Sequence, residues 1–311
     1  MKVLVTGSNG FVGTAVMKRL NVMKGIQAFG SLRPGSGLTG ATVVEVGNLN
    51  AQTDWTFALA GTDIVVHLAA RVHVMNETKA DPLIAFRAVN VEGTLNIARQ
   101  AVAAGVKRFV FISSVKCNGE RTEPGQAFTE ADTPNPQDAY GQSKHEAEEG
   151  VRQLSTHTGM EVVIIRPPLV YGPGVKANFS DLLRVVQRGR LLPLGAVHNQ
   201  RSFVALDNLV DFIDTCITHP LAANQTFLVS DGQDLSTTEL VRGMAQAAGV
   251  PARLLPVPVW ALQAGASLLG KGDEVQRLCC NLQVDITKAR SLLGWVPPVS
   301  VDEGLRRSMT I

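Results

Sequence analysis

The segment that most constrains this chain is its first: "KVLVTGSNGFVGTAVMKRLNV", residues 2–22. A β-branched run (2–7) stops at three glycines spaced three apart, Gly7, Gly10 and Gly13, and a helical periodicity takes over from residue 10. Gly7 permits the tight turn, Gly10 lets a pyrophosphate approach the backbone, and Gly13 lets the helix lie close on the strand. The helix start supplies free N–H groups and the positive end of a dipole. Glycines of this spacing also serve plain strand–helix turns. Position decides here, because the motif opens the first unit of an alternating pattern, which predicts dinucleotide binding.

The alternation continues through the first half. "IQAFGSL" (26–32), "ATVVEVG" (41–47), "DIVVHLAA" (63–70), "KRFVFISS" (107–114) and "EVVIIR" (161–166) read as strands. Helical patterns run from about Asp81 to Ala104 and over 139–158. Apolar runs without polar alternation are strands buried on both faces, and helices between them imply right-handed parallel crossovers. The expected fold is α/β: a doubly wound parallel sheet of Rossmann type, with a smaller C-terminal substrate subdomain. "RPPLVYGPG" (166–174) breaks the rhythm. It divides a dinucleotide-binding domain, 1–166, from a mainly substrate-binding part, 167–311, with some later segments returning to the sheet.

Composition excludes several classes. Net charge is +2 with the basic residues scattered along the chain, so no electrostatic footprint for nucleic acid or an anionic membrane is legible. Cys117, Cys216, Cys279 and Cys280 contain no CxxC and have no histidine partner, so no metal site is expected and the thiols read as reduced. "VPVWALQAGASLLG" (257–270) is too short and proline-interrupted to span a bilayer and reads as a core or interface helix. With "VLVTG" following Met1-Lys2 directly, no signal peptide is expected, and the localisation expected is cytoplasmic.

An NAD-selective site ends its second strand with an acid that grips the ribose hydroxyls, roughly 20 residues past the glycines. No acidic residue precedes Glu45, and the second strand ends "GSLRPGSG". Arg33 stands where a guanidinium could face a 2′-phosphate, with Ser31 and Ser36 as neutral donors. The absence of the acid favours NADP(H), with NAD(H) as the other possibility.

"RFVFISS" ends in Ser113-Ser114 at the carboxyl edge, where ligands bind in open α/β sheets. "AYGQSK" (139–144) sets Tyr140 and Lys144 one helical turn apart. A phenol titrates near 10, and a neighbouring ammonium favours its ionised form. A serine hydroxyl could hold a substrate oxygen beside the tyrosine, which would then exchange a proton with it.

Together with "HLAA" (67–70), "NVEGT" (90–94), "RPPLVYGPG" and "RSFVALDNL" (201–209), these segments resemble an extended short-chain dehydrogenase/reductase of the nucleotide-sugar epimerase, dehydratase and reductase group. The resemblance covers nearly the full length. It implies catalytic roles for Ser114, Tyr140 and Lys144, with Ser113 as the competing serine, since alternate strand residues face opposite ways. It also places Phe11, Val12, Leu49, Leu68, Ala69, Ala70 and Pro167 along the cofactor and has Asn90 support the active-site helix from the cofactor side. Asn48 stands where many relatives carry an adenine-contacting Asp, and His67 is expected to be structural. For the substrate it nominates Arg201 on the diphosphate and Asn178 at a helix start, with Arg184, Arg188, Arg190 and Arg277 as further unranked diphosphate candidates. Lys116 in "SSVKCNGE" is a candidate contact to the sugar or its acetamido group.

The implied substrate is a UDP-sugar. The acid-free cofactor turn favours NAD(P)H-dependent reduction of the C4 ketone of a UDP-4-keto-6-deoxy-N-acetylhexosamine, as in surface polysaccharide synthesis. The alternative is a UDP-hexose or UDP-N-acetylhexosamine 4-epimerase with bound NAD. A reductase of small hydrophobic ketones would not need Arg201 and Asn178, and a non-catalytic dinucleotide sensor would not need Tyr140 and Lys144. A homodimer through helices 81–104 and 139–158 is what the family implies.

Overall fold

The computed structural model describes residues 1–33, 42–72, 81–268, 270 and 272–309. From the amino end, β1 (Lys2–Thr6), α1 (Phe11–Leu20), β2 (Gln27–Leu32), β3 (Val43–Glu45), α2 (Thr56–Leu59) and β4 (Ile64–His67) follow in turn. Next come α3 (Pro82–Phe86), α4 (Thr94–Ala103), β5 (Arg108–Ile112), α5 (Ala139–Thr158) and β6 (Glu161–Arg166). The sheet runs β3-β2-β1-β4-β5-β6-β9, every pair parallel, where β9 is Thr226–Leu228. Strand order reverses between β1 and β4, so the ligand crevice of such a sheet opens above their carboxyl ends.

Both faces of the sheet are covered, which is why its strands read as unbroken apolar runs. Val3, Val5, Val66, Val110 and Ile165 face one core with α1 residues Val16 and Leu20. Leu4, Val65, Phe109, Phe111 and Ile164 face the other, with Ile97 and Ala101 of α4 and Val151 of α5. A one-residue slip of any central strand would exchange its two apolar sets without relieving either, so register is held by packing on both sides at once.

The helical pattern from 81 to 104 is interrupted. Asp81 caps α3, its side chain accepting from Leu83 N–H at 2.9 Å, and residues Arg87–Gly93 between α3 and α4 form a π-helical turn. Such turns widen a helix by one residue and concentrate at functional sites. This one carries buried Asn90, and Gly93, where a Cβ would stand 2.7 Å from Leu49 Cγ.

Beyond Arg166 come β7 (Leu169–Tyr171), α6 (Ala177–Gln187), β8 (Phe203–Ala205), α7 (Leu206–Thr218), α8 (Thr237–Ala247), α9 (Val259–Leu268), α10 (Gly272–Cys279), α11 (Thr287–Leu293) and α12 (Val301–Arg307). β7 and β8 pair as a separate two-stranded parallel sheet. It shares a third core with α6, α8 and α12, including Tyr171, Phe179, Leu240 and Leu305. The chain also crosses back: α7 packs its Leu209, Phe212 and Ile213 into the core above β1 and β5, and α11 contributes Ala289 there.

Candidate active site at the carboxyl edge of the sheet

The glycine turn closes tightly on β4. Gly7 has φ of +67°, a left-handed conformation that suits glycine, and a Cβ there would lie 2.9 Å from Ala69 N. A Cβ on Gly13 would overlap the Gly7 carbonyl oxygen, so the strand–helix approach requires that glycine. Gly10 caps α1 in extended conformation without a side-chain cap, and no acidic residue lies in the first turn. The leading N–H groups around Phe11 and Val12 are thus left by their own helix for an anion, the geometry a dinucleotide pyrophosphate fits.

Thr6, at the end of β1, joins this turn to the helices. Its hydroxyl lies 2.8 Å from His67 Nδ1 and accepts from Ala69 N–H at 3.1 Å, while His67 Nε2 lies 3.0 Å from Thr94 Oγ1. Burial, with the Lys144 charge adding to it, pushes the His67 ring down to about 3, so it stays neutral. His67 is a fully buried bridge, as expected. Leu68, Ala69 and Ala70, all half-buried, continue from it along the crevice.

Cofactor residues further out are less enclosed. Arg33 is exposed at the end of β2, Ser31 is buried, and Ser36 lies outside the described residues. Parallel register sets Glu45, at the end of β3, beside Leu32 at the end of β2. The acid missing from β2 therefore has a neighbour one strand over, which weakens the electrostatic case for NADP drawn from Arg33. Asn48 is exposed, its carbonyl accepting from Thr53 Oγ1, and Leu49 packs against Gly93. Asn90 spends both amide hydrogens inside the chain, on Arg71 O and Ser143 Oγ at 3.0 Å each, while its oxygen accepts from Arg71 N–H. It thereby ties the loop after β4 to the helix one residue before Lys144.

The two serines after β5 part as strand geometry requires. Ser113 is buried, its N–H donating to Ile165 O at 2.7 Å and its hydroxyl 3.3 Å from Cys117 Sγ. Ser114 is half-exposed and extended, accepting from Lys116 N–H at 3.2 Å to cap a short 3-10 turn. Of the two, Ser114 is the more accessible. Pro167, buried at the end of β6, receives the Val115 N–H at 3.0 Å and fixes that turn.

Asp138 caps α5, accepting from Gly141 N–H at 2.7 Å, and sets Tyr140 on the first turn. The Tyr140 ring meets Phe86 edge-on at 6.0 Å between centroids. Burial raises its phenol above the usual value, and Cys117 and Asp138 raise it further. The expected lowering by Lys144 is not found: every cause acting on the phenol in the chain by itself raises it. Lys144 is 2% exposed, its ammonium 4.2 Å from the centroid of Phe111. Burial pulls it down to about 8, although Cys117 and Glu148 act to raise it.

Behind these residues stands a network that pattern reading missed. Arg166 clasps Glu148 through Nε at 2.9 Å and Nη2 at 2.6 Å, and its Nη1 donates to Asn118 Oδ1 at 2.9 Å. Glu148 follows Lys144 by four residues, so it lies on the same face of α5, and that spacing was the available signal. Lys116 is also engaged: its ammonium lies 2.8 Å from Glu120 Oε1 and 2.5 Å from Asp138 Oδ2. It joins the Ser114 turn to the cap of α5, which competes with its expected contact to a sugar.

Arg201 is half-buried, bridged to Leu235 and Leu282. Its guanidinium donates to the carbonyls of Arg277 at 2.6 Å and Cys280 at 3.1 Å, and burial lowers its pKa. It forms no ion pair among the described residues, a state that favours an anionic ligand. Asn178 is exposed on the first turn of α6. Arg184 pairs with Asp181, while Arg188, Arg190 and Arg277 are exposed. A polar cleft of about 640 Å³ runs beside Asn118 and Glu120 to Gln276. No group of three metal-ligating side chains is gathered among the described residues.

A glycine cradle at the first crossing, with a serine, tyrosine and lysine on the adjoining strand end and helix, marks an enzyme of the dinucleotide-dependent short-chain dehydrogenase/reductase type. The chain belongs to the NAD dependent epimerase/dehydratase family, whose model matches residues 3–230. It is 49% identical over 307 residues to a UDP-glucose 4-epimerase of Vibrio cholerae, covering 98% of this chain and 94% of that one. It is 29% identical to an N-acetyl-α-D-glucosaminyl-diphospho-ditrans,octacis-undecaprenol 4-epimerase of Escherichia coli O157:H7, over 99% and 94% of the two chains. In fold it resembles the UDP-glucuronic acid 4-epimerase of Bacillus cereus in complex with NAD, with TM-score 0.78, 20% identity and coverage of 99% and 97%.

Proposed function

We propose that this protein is a UDP-sugar 4-epimerase using NAD. The observation that carries the reading is the 49% identity to the Vibrio cholerae UDP-glucose 4-epimerase over nearly the whole of both chains. It moves the preference away from the 4-ketoreductase that the acid-free second strand favoured, and toward NAD over NADP. The acid-free second strand and Arg33 are the features that still favour a reductase.

When bound, NAD takes up the hydrogen at C4 of the sugar and gives it back. The chain's own residues do the rest. Ser114 holds the C4 oxygen from the strand end, and Tyr140, on the first turn of α5, takes the proton from the 4-hydroxyl as a phenolate and later returns it as a phenol. Lys144, the one ammonium on the same face of α5, stabilises the phenolate from which that step starts. Arg201, without a carboxylate of its own, takes the diphosphate, and Asn178 donates to it from the start of α6. Two-part closure of the substrate between residues 1–166 and 167–311, and a dimer through α3, α4 and α5, belong to the same proposal.

The test is UDP-glucose with no added cofactor, following UDP-galactose by chromatography. Appearance of the C4 epimer supports the reading. No epimer, with consumption of NADPH on a UDP-4-keto-6-deoxy-N-acetylhexosamine, would establish the reductase instead.

A pH dependence follows from Lys144. Its pKa of about 8 leaves it an ammonium below that value and a neutral amine above it. Epimerisation is therefore expected to fall as pH rises through about 8 in saturating UDP-glucose, and Lys144→Met should abolish that limb along with most activity. A rate that holds level well above that pH would show that the charge on Lys144 is not required.

A further inference from the structure

One surface far from the glycine cradle has a composition that the fold does not use. α9 is apolar on two sides: Val259 and Leu262 pack on the third core and Ala266 is buried, while Trp260, Ala264 and Leu268 repeat every four residues along the opposite side. Trp260 is 72% exposed and Leu268 89%. Beside α9's entry a short parallel ladder adds to the patch. Leu192 N–H donates to Arg253 O at 2.9 Å and Leu255 N–H to Leu192 O at 2.8 Å, so the register sets Leu191 beside Arg253. Leu191 is 63% exposed and Leu255 48%.

Three cations stand near this ladder. Arg188, Arg190 and Arg253 are exposed, and none forms an ion pair among the described residues. The sequence holds no carboxylate between Asp181 and Asp207, and none between Glu239 and Asp273. In the linear sequence these arginines look scattered; the pairing of Leu192 with Leu254 is what gathers them.

We propose that this face docks on an anionic lipid bilayer, Trp260 and Leu268 entering the headgroup region and the three arginines meeting lipid phosphates. An apolar stripe with Trp and Leu, rimmed by cations, is the pattern of an interfacial helix. A second copy of the chain would set arginine against arginine, and a nucleic acid would leave Leu191, Leu255 and Leu268 without a partner. No described helix is long and apolar enough to cross a membrane, so the contact is peripheral.

The full chain, mixed with vesicles of phosphatidylcholine alone or with phosphatidylglycerol, is read by sedimentation and tryptophan emission. Trp55 and Trp295 are 2% and 4% exposed, so a change in emission reports Trp260. Binding to the phosphatidylglycerol vesicles at low salt, a blue shift, and loss of both at high salt are expected. Arg253→Ala and Arg190→Ala should each weaken partitioning about fivefold. Leu268→Gln should weaken it too while leaving turnover of UDP-glucose in vesicle-free buffer unchanged. Equal binding to neutral vesicles, no binding at all, or a concentration-dependent dimer dissociated by Leu268→Gln would overturn the proposal.

Discussion

Tyr140→Phe is expected to lower kcat for UDP-sugar epimerisation by about 10²–10⁴-fold, the range for removing a positioned acid–base group. The substitution deletes one oxygen and keeps the ring, so the edge-on contact with Phe86 at 6.0 Å and the packing at the start of α5 persist. The cap also persists, because Asp138 accepts from the Gly141 backbone N–H. Thermal unfolding of the variant should therefore match the parent, and its KM should move little. Burial holds the phenol protonated in the chain by itself, so the phenolate that takes the sugar's proton has to form when cofactor and substrate bind. Ser114→Ala removes a holding contact and should cost less than Tyr140→Phe. A Tyr140→Phe enzyme within about threefold of the parent would remove this residue from the proton path.

Much of this site was legible because its signals are local. The β1–α1 turn is written in glycine spacing, and helix geometry alone puts Tyr140 and Lys144 on one face, with α5 spanning Ala139–Thr158. The choice between Ser113 and Ser114 was open in the sequence. Packing separates the two, Ser113 being buried against Cys117, which reaches that position through a 3-10 turn invisible to periodicity. Periodicity predicts one helix over 81–104, and the π turn at Arg87–Gly93 that interrupts it has no signal of its own in the pattern. β9 is three residues long, too short for a pattern, and it is specified by pairing with β6. Lys116 shows the limit most clearly. Its type and position suggest a ligand contact, but Glu120 and Asp138 become its partners only once the loop from 118 to 138 has folded back.

Glu148→Gln is expected to be the most destabilising single substitution near the site, at about 3–5 kcal/mol, because it leaves a buried guanidinium without its counter-charge. Glu148 is fully buried and Arg166 is 2% exposed, joined by two hydrogen bonds, and Arg152 loses its contact to Glu148 Oε2 at 2.8 Å as well. A loss of that size is a large part of the roughly 5–15 kcal/mol that holds a folded chain together. Replacing both partners, as Glu148→Gln with Arg166→Met, should recover much of it, since an uncharged pair of similar volume has no desolvated ion to support. The pH dependence has a definite sign. Burial acts to raise the Glu148 carboxyl, but hydrogen bonds and charge from Arg166, with Arg152, bring it below the usual value. A group depressed in the folded state contributes stability above its unfolded pKa, about 4.3 for Glu, and that contribution disappears as pH falls through the lower folded value. The gap in unfolding free energy between parent and Glu148→Gln, measured in urea, should thus be widest at neutral pH and close in acid. A shift under about 1 kcal/mol at neutral pH would show the pair to be idle. Because Arg166 also holds Asn118, and Pro167 the Ser114 turn, the same variant should lower kcat even at temperatures where it remains folded. Rescue of kcat by the uncharged double variant would show that the pair acts by holding α5 against that turn, with no part for its charge in the proton transfer.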